Sequence, residues 1–325
     1  MDKRVFASIL AIAFLRLAPQ TLQAQTNQAA PSQELLEARI TKTIVFITLD
    51  VKVKGKTSQL LGTVFLVGVP DDRLPKDFLF TYLVTNRHVA QALDHCKPLN
   101  LTKTYVTMNL KEPVNGSRAS KEMLKITPQN PWHFPAKPST DLAVIRFAQF
   151  SNKYDQMVFP LEYFLTSKEL AEKGVIPSDN VLTMGLFTHY PGTHGLQPLV
   201  REGILAMLPD APMQTACGGT DNLYLADVHI IPGNSGSPIF IWPTRPDGRG
   251  GMSGDRTTFG LLGIVSGYMY EDQDLTLRPS TTWSTTVHGN SGIAIVVPAE
   301  ELKDLLLSPE AIRERDESFK KTAKP

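Results

Sequence analysis

The chain has 325 residues, 42% of them hydrophobic and 20% charged, with a formal net charge of +1. This composition suits a folded globular protein of one or two domains, and the near-neutral balance gives no electrostatic case for nucleic acid or for an anionic membrane surface. The two cysteines, Cys96 and Cys217, make no metal motif and no His-Glu-x-x-His helix signature occurs, so neither a catalytic metal nor a cofactor is expected.

Residues 1–24 carry the marks of a secretory signal. Lys3 and Arg4 form a basic start, Val5–Leu15 is an apolar run too short to span a bilayer, and Leu22-Gln23-Ala24 offers a cleavage site. An exported protein, periplasmic or secreted, with no stable membrane span is therefore expected. Removing the segment takes out three basic residues and one acidic residue, so the net charge moves from +1 to −1. In that setting Cys96 and Cys217 could form one disulfide, but spacing does not show whether they meet.

Residues 25–40 read as a flexible, Gln- and Ala-rich leader. From Thr41 the pattern becomes short apolar runs separated by turn signals. Strands are predicted at 44–53, 62–69, 78–85, 104–109 and 142–147, where β-branched and aromatic residues concentrate. A linker over 151–178 carries a short helix at 167–173. Further strands are predicted at 180–186, 200–207, 223–229, 238–242, 259–267 and 292–297. A helix starts at Pro298 and another at Ser308-Pro309, and the charged stretch 313–325 reads as a solvated end. Many short strands with Gly and Pro turns argue an all-β sandwich or barrel.

The segment Pro232-Gly233-Asn234-Ser235-Gly236-Ser237-Pro238 places a serine between glycines on a tight turn before an apolar strand. A serine hydroxyl becomes a useful nucleophile when a histidine takes its proton and backbone N–H groups stabilise the oxyanion. Two earlier segments supply the partners. Thr85-Asn86-Arg87-His88-Val89-Ala90 follows a strand and carries His88, and Thr140-Asp141-Leu142-Ala143-Val144 puts Asp141 at the mouth of another strand. Singly, each is better explained as a turn serine, a structural histidine and a capping aspartate. The ordered trio is better explained by joint catalytic roles. Gly289-Asn290-Ser291-Gly292 repeats the serine motif, but one strand and a helix follow it, so Ser291 is read as a turn residue.

The order His, Asp, Ser, with the T-x-x-H-V-A, D-L-A-V and G-N-S-G-x-P signatures, resembles the trypsin/chymotrypsin-like serine proteases. Val181–Phe187, Glu202–Ala206, Ala226–Gly233 and Gly292–Pro298 bring it nearest to the HtrA/Deg-type protease domain over roughly residues 40–307. That resemblance implies two antiparallel β-barrels, 41–150 and 179–298, followed by C-terminal helices over 299–325. It implies a serine endopeptidase with catalytic His88, Asp141 and Ser235 and an oxyanion hole from the N–H groups of Gly233 and Ser235; in departure from that family, no PDZ domain is expected after the final helices. Val265, Ser266, Gly267 and Tyr268 would pair with an extended substrate, Ser266 would also bond Asp141, and Tyr268 and His229 would wall the specificity pocket. His229 reads equally well as a plain strand residue. Protein or peptide substrates are the implied partners, and an oligomer is left open. Pro191–His194, Pro243–Thr258 and Tyr268–Gly289 read as inserts. The alternative is a silent or latent protease-like module that binds peptides or partner proteins, a reading that the Leu208–Asn222 loop keeps open.

Overall fold

The computed structural model describes residues 36–75, 78–112, 120–126, 131–147, 152–242, 244–246, 252–254, 259–277 and 283–322. The signal-like segment 1–24, most of the leader, and most of the Pro243–Thr258 insert lie outside them.

Two runs of six strands follow each other. The first comprises β1 (Ile44–Val53), β2 (Lys56–Val69), β3 (Phe80–Thr85), β4 (Asn100–Asn109), β5 (Lys121–Ile126) and β6 (Ala143–Arg146). They pair antiparallel in the order β5-β4-β1-β2-β3-β6, and the pair Phe159–Pro160 runs parallel beside β2. The second comprises β7 (Asn180–Gly185), β8 (Leu199–Met207), β9 (Tyr224–Asp227), β10 (Pro238–Trp242), β11 (Gly260–Leu277) and β12 (Trp283–Pro298). These form a closed barrel in the order β7-β8-β9-β12-β11-β10. With the strands of each half counted one to six, both halves trace the same circuit, 1-2-3-6-5-4. In the first half, β5 and β6 share no ladder among the described residues. The fold is thus all-β, in the chymotrypsin-like two-barrel arrangement, with helices at its C-terminus.

The strands were legible because many are buried on both faces and so read as continuous apolar runs. In β2, Val64 and Leu66 fill the core of the first half with Ile47, Leu83 and Ile145. The alternate residues Phe65 and Val67 enter a second cluster with Met184, Phe240 and Ile264 of the other half. A third cluster, including Val181, Leu205, Ile239, Leu262 and Val296, fills the second barrel. The stretch 152–178 is stitched in rather than slack. Phe159 packs on Phe240 and Phe164, and helix Ser167–Glu172 opens with a capping box of Thr166 and Glu169.

Three expectations need correction. Strand β5 was not anticipated, because Lys121-Glu122-Met123-Leu124-Lys125-Ile126 mixes charges into an edge strand. The Tyr268–Gly289 insert is a continuation of β11 and β12 as a two-stranded ribbon, in register from Tyr270↔Asn290 to Leu277↔Trp283. Ser291 accordingly lies in a bulge of β12, not in a turn. Tyr268 opposes Ala294 while Tyr270 opposes Asn290, and Gly292 takes φ +83°. The Ser291 hydroxyl donates to the Met269 carbonyl at 2.9 Å.

The charged stretch 313–325 is not a loose solvated end over its described residues either. Helices Ala299–Leu306 and Pro309–Thr322 close the chain. The first buries Leu302, Leu305 and Leu306 in the cluster shared by the two halves. The second lies on the first half. Its buried Arg315 donates to the Tyr82 hydroxyl at 3.0 Å and to the Leu306 carbonyl at 2.9 Å, and Phe319 meets Phe80 edge-on. His133 faces Glu314 at 3.3 Å, and that carboxylate raises the imidazole pKa against the opposing effect of burial.

A raised folded-state pKa stabilises the protein fully below the unfolded value, about 6.5 for histidine, and the gain disappears as pH rises through the folded value. The difference in Tm between the wild type and His133→Gln should therefore be largest near pH 5.5 and vanish at alkaline pH. Melting curves over that range check it, and a pH-independent difference would refute the ion pair.

Candidate active site

The turn after β3 brings the first two residues together. Asn86 is fully buried and donates through Nδ2 to the Asp141 carbonyl at 2.9 Å, so its side chain is spent on the aspartate loop and does not cap the short helix Arg87–Ala90. Arg87 reaches the same loop, donating to Thr140 O at 3.2 Å and Pro135 O at 2.7 Å, with its guanidinium over the Phe134 ring. His88 is thereby held against Asp141 by two bonds. Its backbone N–H donates to Oδ1 at 2.9 Å, and Nδ1 lies 2.7 Å from Oδ2. From the other half, Ser266 Oγ donates to Oδ2 at 2.6 Å. Burial pushes the Asp141 carboxyl pKa up, but the charge of His88 and these hydrogen bonds outweigh it and hold the group below its ordinary value.

Ser235 sits on the turn before β10. Pro232 and Gly233 occupy the turn centre, closed by Asn234 N–H to Ile231 O at 3.0 Å, and Gly233 adopts φ +99°, which favours glycine. Asn234 is locked on both sides of its amide, accepting from Ile231 N–H at 2.9 Å and donating to Leu186 O at 2.8 Å. At Gly236 φ is +86°, and an added Cβ would stand 2.1 Å from the Thr63 carbonyl. Ser235 Oγ donates to the Ser266 carbonyl at 3.3 Å. Ser266 thus touches both Ser235 and Asp141. No hydrogen bond joins Ser235 to His88, a contact that is often loose in ligand-free sites.

Thr63, fully buried on β2, was not singled out from the sequence. Its hydroxyl donates to the Gly233 carbonyl at 2.7 Å and accepts from Leu186 N–H at 2.8 Å, while its N–H donates to Ser235 O at 3.1 Å. The first half therefore holds the serine turn of the second. The signal was a lone hydroxyl in the apolar run Leu60-Leu61-Gly62-Thr63-Val64-Phe65. Asn86 and Arg87 were missed as loop tethers for a similar reason, since their partners are main-chain carbonyls about 50 residues away.

Val265 is buried and Gly267 and Tyr268 are half-buried along β11. Tyr268 packs against the cluster containing Val228 and Ile230. His229, between those two, points to solvent and lies beyond the end of β9 at Asp227. The structure so brings His88, Asp141, Ser235 and Ser266 together, and leaves His229 exposed.

Cys96 and Cys217 are joined by a disulfide across a sequence separation of 121, with the Cα atoms 5.3 Å apart. It ties the chain after His88 to the Leu208–Asn222 loop. The same loop meets the approach to Asp141, where Ser139 Oγ donates to Thr220 O at 2.9 Å and Lys137 pairs with Asp221 at 2.7 Å. Among the described residues, no group of three or more His, Cys, Asp or Glu side chains could hold a metal.

No family model and no curated protein matches the sequence. Solved structures similar to the chain include the MamO protease domain from Magnetospirillum magneticum, at 16% identity and TM-score 0.44, covering 84% of this chain and 100% of that one. The HtrA-type protease AlgW with a tripeptide is similar at 17% identity and TM-score 0.44, over 83% of this chain and 62% of its own length. Deg5 is similar at 15% identity and TM-score 0.40, over 70% of this chain and 81% of its own.

Two outcomes follow from the site's construction. Thr63→Val keeps the volume but leaves the Gly233 carbonyl and Leu186 N–H without a partner, at about 1–3 kcal/mol for each buried orphan. Thermal unfolding should show that loss, and a melting point equal to the wild type would sink the account. Replacing both cysteines by serine should cost about 3–5 kcal/mol, since the bond closes a loop of more than a hundred residues. Denaturant unfolding of the double variant measures it.

Proposed function

We propose that the protein is a serine endopeptidase that hydrolyses peptide bonds through an acyl-enzyme. The observation that carries this reading is the hydrogen-bonded set of His88, Asp141 and Ser266, with Ser235 bonded to the same Ser266. Ser235 attacks the peptide carbonyl, and His88 Nε2 takes its proton and later delivers it to the leaving amine. Asp141 keeps Nδ1 protonated, orients the ring and stabilises its cation without accepting the proton. The N–H groups of Gly233 and Ser235 receive the oxyanion, on a turn fixed in advance by Asn234 and Thr63. Val265 to Tyr268 pair with the substrate as an added strand, and Tyr268 lines the primary pocket.

The substrates are proteins or peptides. An exported, oxidising setting fits both the signal-like start and the disulfide. Among the described residues, no helix is long and apolar enough to cross a membrane.

The second reading is a latent or silent module that binds peptides. One observation favours it: the Ser235 hydroxyl is turned to the Ser266 carbonyl, and not to His88.

Labelling with a fluorophosphonate separates the two readings. Wild type and Ser291→Ala should label and Ser235→Ala should not. A folded wild type that stays unlabelled, with or without added peptide, would remove the peptidase reading. Asp141→Asn should lower turnover by about 10⁴-fold at unchanged fold. A loss of less than tenfold in a peptide-cleavage assay would dismiss its assigned role.

A further inference from the structure

Two short hairpins are joined at their tips by the Cys96–Cys217 disulfide. The first pairs Leu93 with Pro98 and Asp94 with Lys97, so His95 and Cys96 form its tip. It grows out of the helix Arg87–Ala90 that carries His88. Its base is closed by Ala92 N–H to Val89 O and Leu99 N–H to Ala92 O, both at 3.0 Å. The second pairs Met213 with Asp221 and Gln214 with Thr220, and Cys217 lies in its tip. Its base is held on the approach to Asp141, through Ser139 to Thr220 O and Lys137 to the buried Asp221.

A ring therefore runs from His88 through both hairpins to Asp141, and the bonds between His88 and Asp141 close it. Among the described residues, no hydrogen bond or ion pair joins the two hairpins apart from contacts of Cys96. Cutting the S–S bond opens the ring at that one link, while each hairpin keeps its own base.

The bond also lies where a reagent reaches it. Cys96 and Cys217 are both exposed. Beside Cys217, a Cβ added at Gly218 would meet nothing within 4 Å, so that side of the tip is open. The first hairpin is held in an unfavourable backbone. Ala92, His95 and Cys96 take φ of 51°, 44° and 63°, and they are three of the five non-glycine residues with positive φ among those described. L side chains rarely adopt that region. A hairpin cut loose is free to leave it. Exposed disulfides are the ones that exchange readily with thiols.

We infer that the Cys96–Cys217 bond is a redox site that takes a dithiol as its co-substrate and sets how firmly His88 is held against Asp141. A thiolate of the dithiol attacks Cys217 Sγ from the open side. An S–S bond forms there, and Cys96 leaves as a thiolate. The second thiolate of the reductant then displaces Cys217, and the reductant departs as its own disulfide. Two electrons pass to the protein, and the two protons of the dithiol end on Cys96 and Cys217. In an oxidising setting the closed ring is the resting form. Reduction lets the His88 helix and the Asp141 loop move independently, so the bonds between them are made for a smaller fraction of the time. Asn86 and Arg87 still tether that loop, so the loss is partial. The consequence for turnover rests on the peptidase reading; the loosening of His88 does not.

The test uses the full-length protein in three states: oxidised, reduced with dithiothreitol under native conditions, and reoxidised after its removal. Mass spectrometry after alkylation should count two thiols in the reduced form, with the circular dichroism spectrum unchanged. Exchange of the His88 amide hydrogen should quicken at least threefold on reduction, and fluorophosphonate labelling of Ser235 should slow about fivefold. Reoxidation should restore both. The double variant Cys96→Ser, Cys217→Ser should exchange and label like the reduced wild type and ignore the dithiol. If that variant does not fold, the reversible cycle of the wild type decides by itself.

A disulfide that yields to dithiothreitol only when the protein unfolds would overturn the inference. So would exchange at His88 that reduction leaves unchanged, labelling at one rate in both forms, or a dithiol effect that persists in the double variant. An oxidised protein that never labels fails the peptidase reading, and hydrogen exchange then judges the clamp alone.

Discussion

The Asp141 carboxylate is the point on which the arrangement turns. It accepts from the backbone and ring of His88 in its own half and from Ser266 in the other. A partly buried carboxylate is stable as an anion only when hydrogen bonds and an opposite charge offset its desolvation. Supplying them requires a strand-to-helix turn, an aspartate loop and an edge strand from the second barrel to converge within one hydrogen-bond length. Asn86 and Arg87 contribute by fixing the aspartate loop through its carbonyls, so the acid is positioned by main chain as well as by its charge partners.

The two halves are therefore not independent units joined by a hinge. The serine turn belongs to the second barrel, but Thr63 of the first holds the Gly233 carbonyl. The disulfide and the Lys137–Asp221 pair fasten the Leu208–Asn222 loop to the flanks of His88 and Asp141. The last helix crosses back to cover Tyr82 and Phe80 of the first half. Each link spans more than 80 residues of sequence, which places the site among the long-range contacts of the fold. The position of Ser235 is coupled in this way to packing between the halves.

Much of this was readable from the chain, for identifiable reasons. Strands buried on two faces announce themselves as unbroken apolar runs, and Ile44–Val53 and Pro238–Trp242 were placed residue for residue. The serine turn was readable because Gly233 and Gly236 stand where a positive φ favours glycine. The failures are of the opposite kind. β5 buries none of its side chains fully, and the ribbon beyond Tyr268 is held in a backbone ladder, so their sequences look like loops. The last helix looked like a solvated end because Arg315, Glu314 and Asp316 are charged, although Arg315 is buried by its two acceptors. The cysteine pairing and the Thr63 contacts depend on which loops meet, and composition carries no trace of that.

The hydroxyl of Ser235 shows how little separates a poised site from an idle one. Its present acceptor, the Ser266 carbonyl, belongs to the strand that would pair with a substrate. A peptide strand laid along that edge would compete for the same carbonyl, and its loss would free the hydroxyl to turn towards His88. A rotamer change of this kind has a small intrinsic cost, since it moves between staggered wells. The backbone of the turn is already held by Asn234 and Thr63. Substrate pairing and activation of the nucleophile would then be one event, driven by the main-chain hydrogen bonds of the arriving strand rather than by any rearrangement of the barrels.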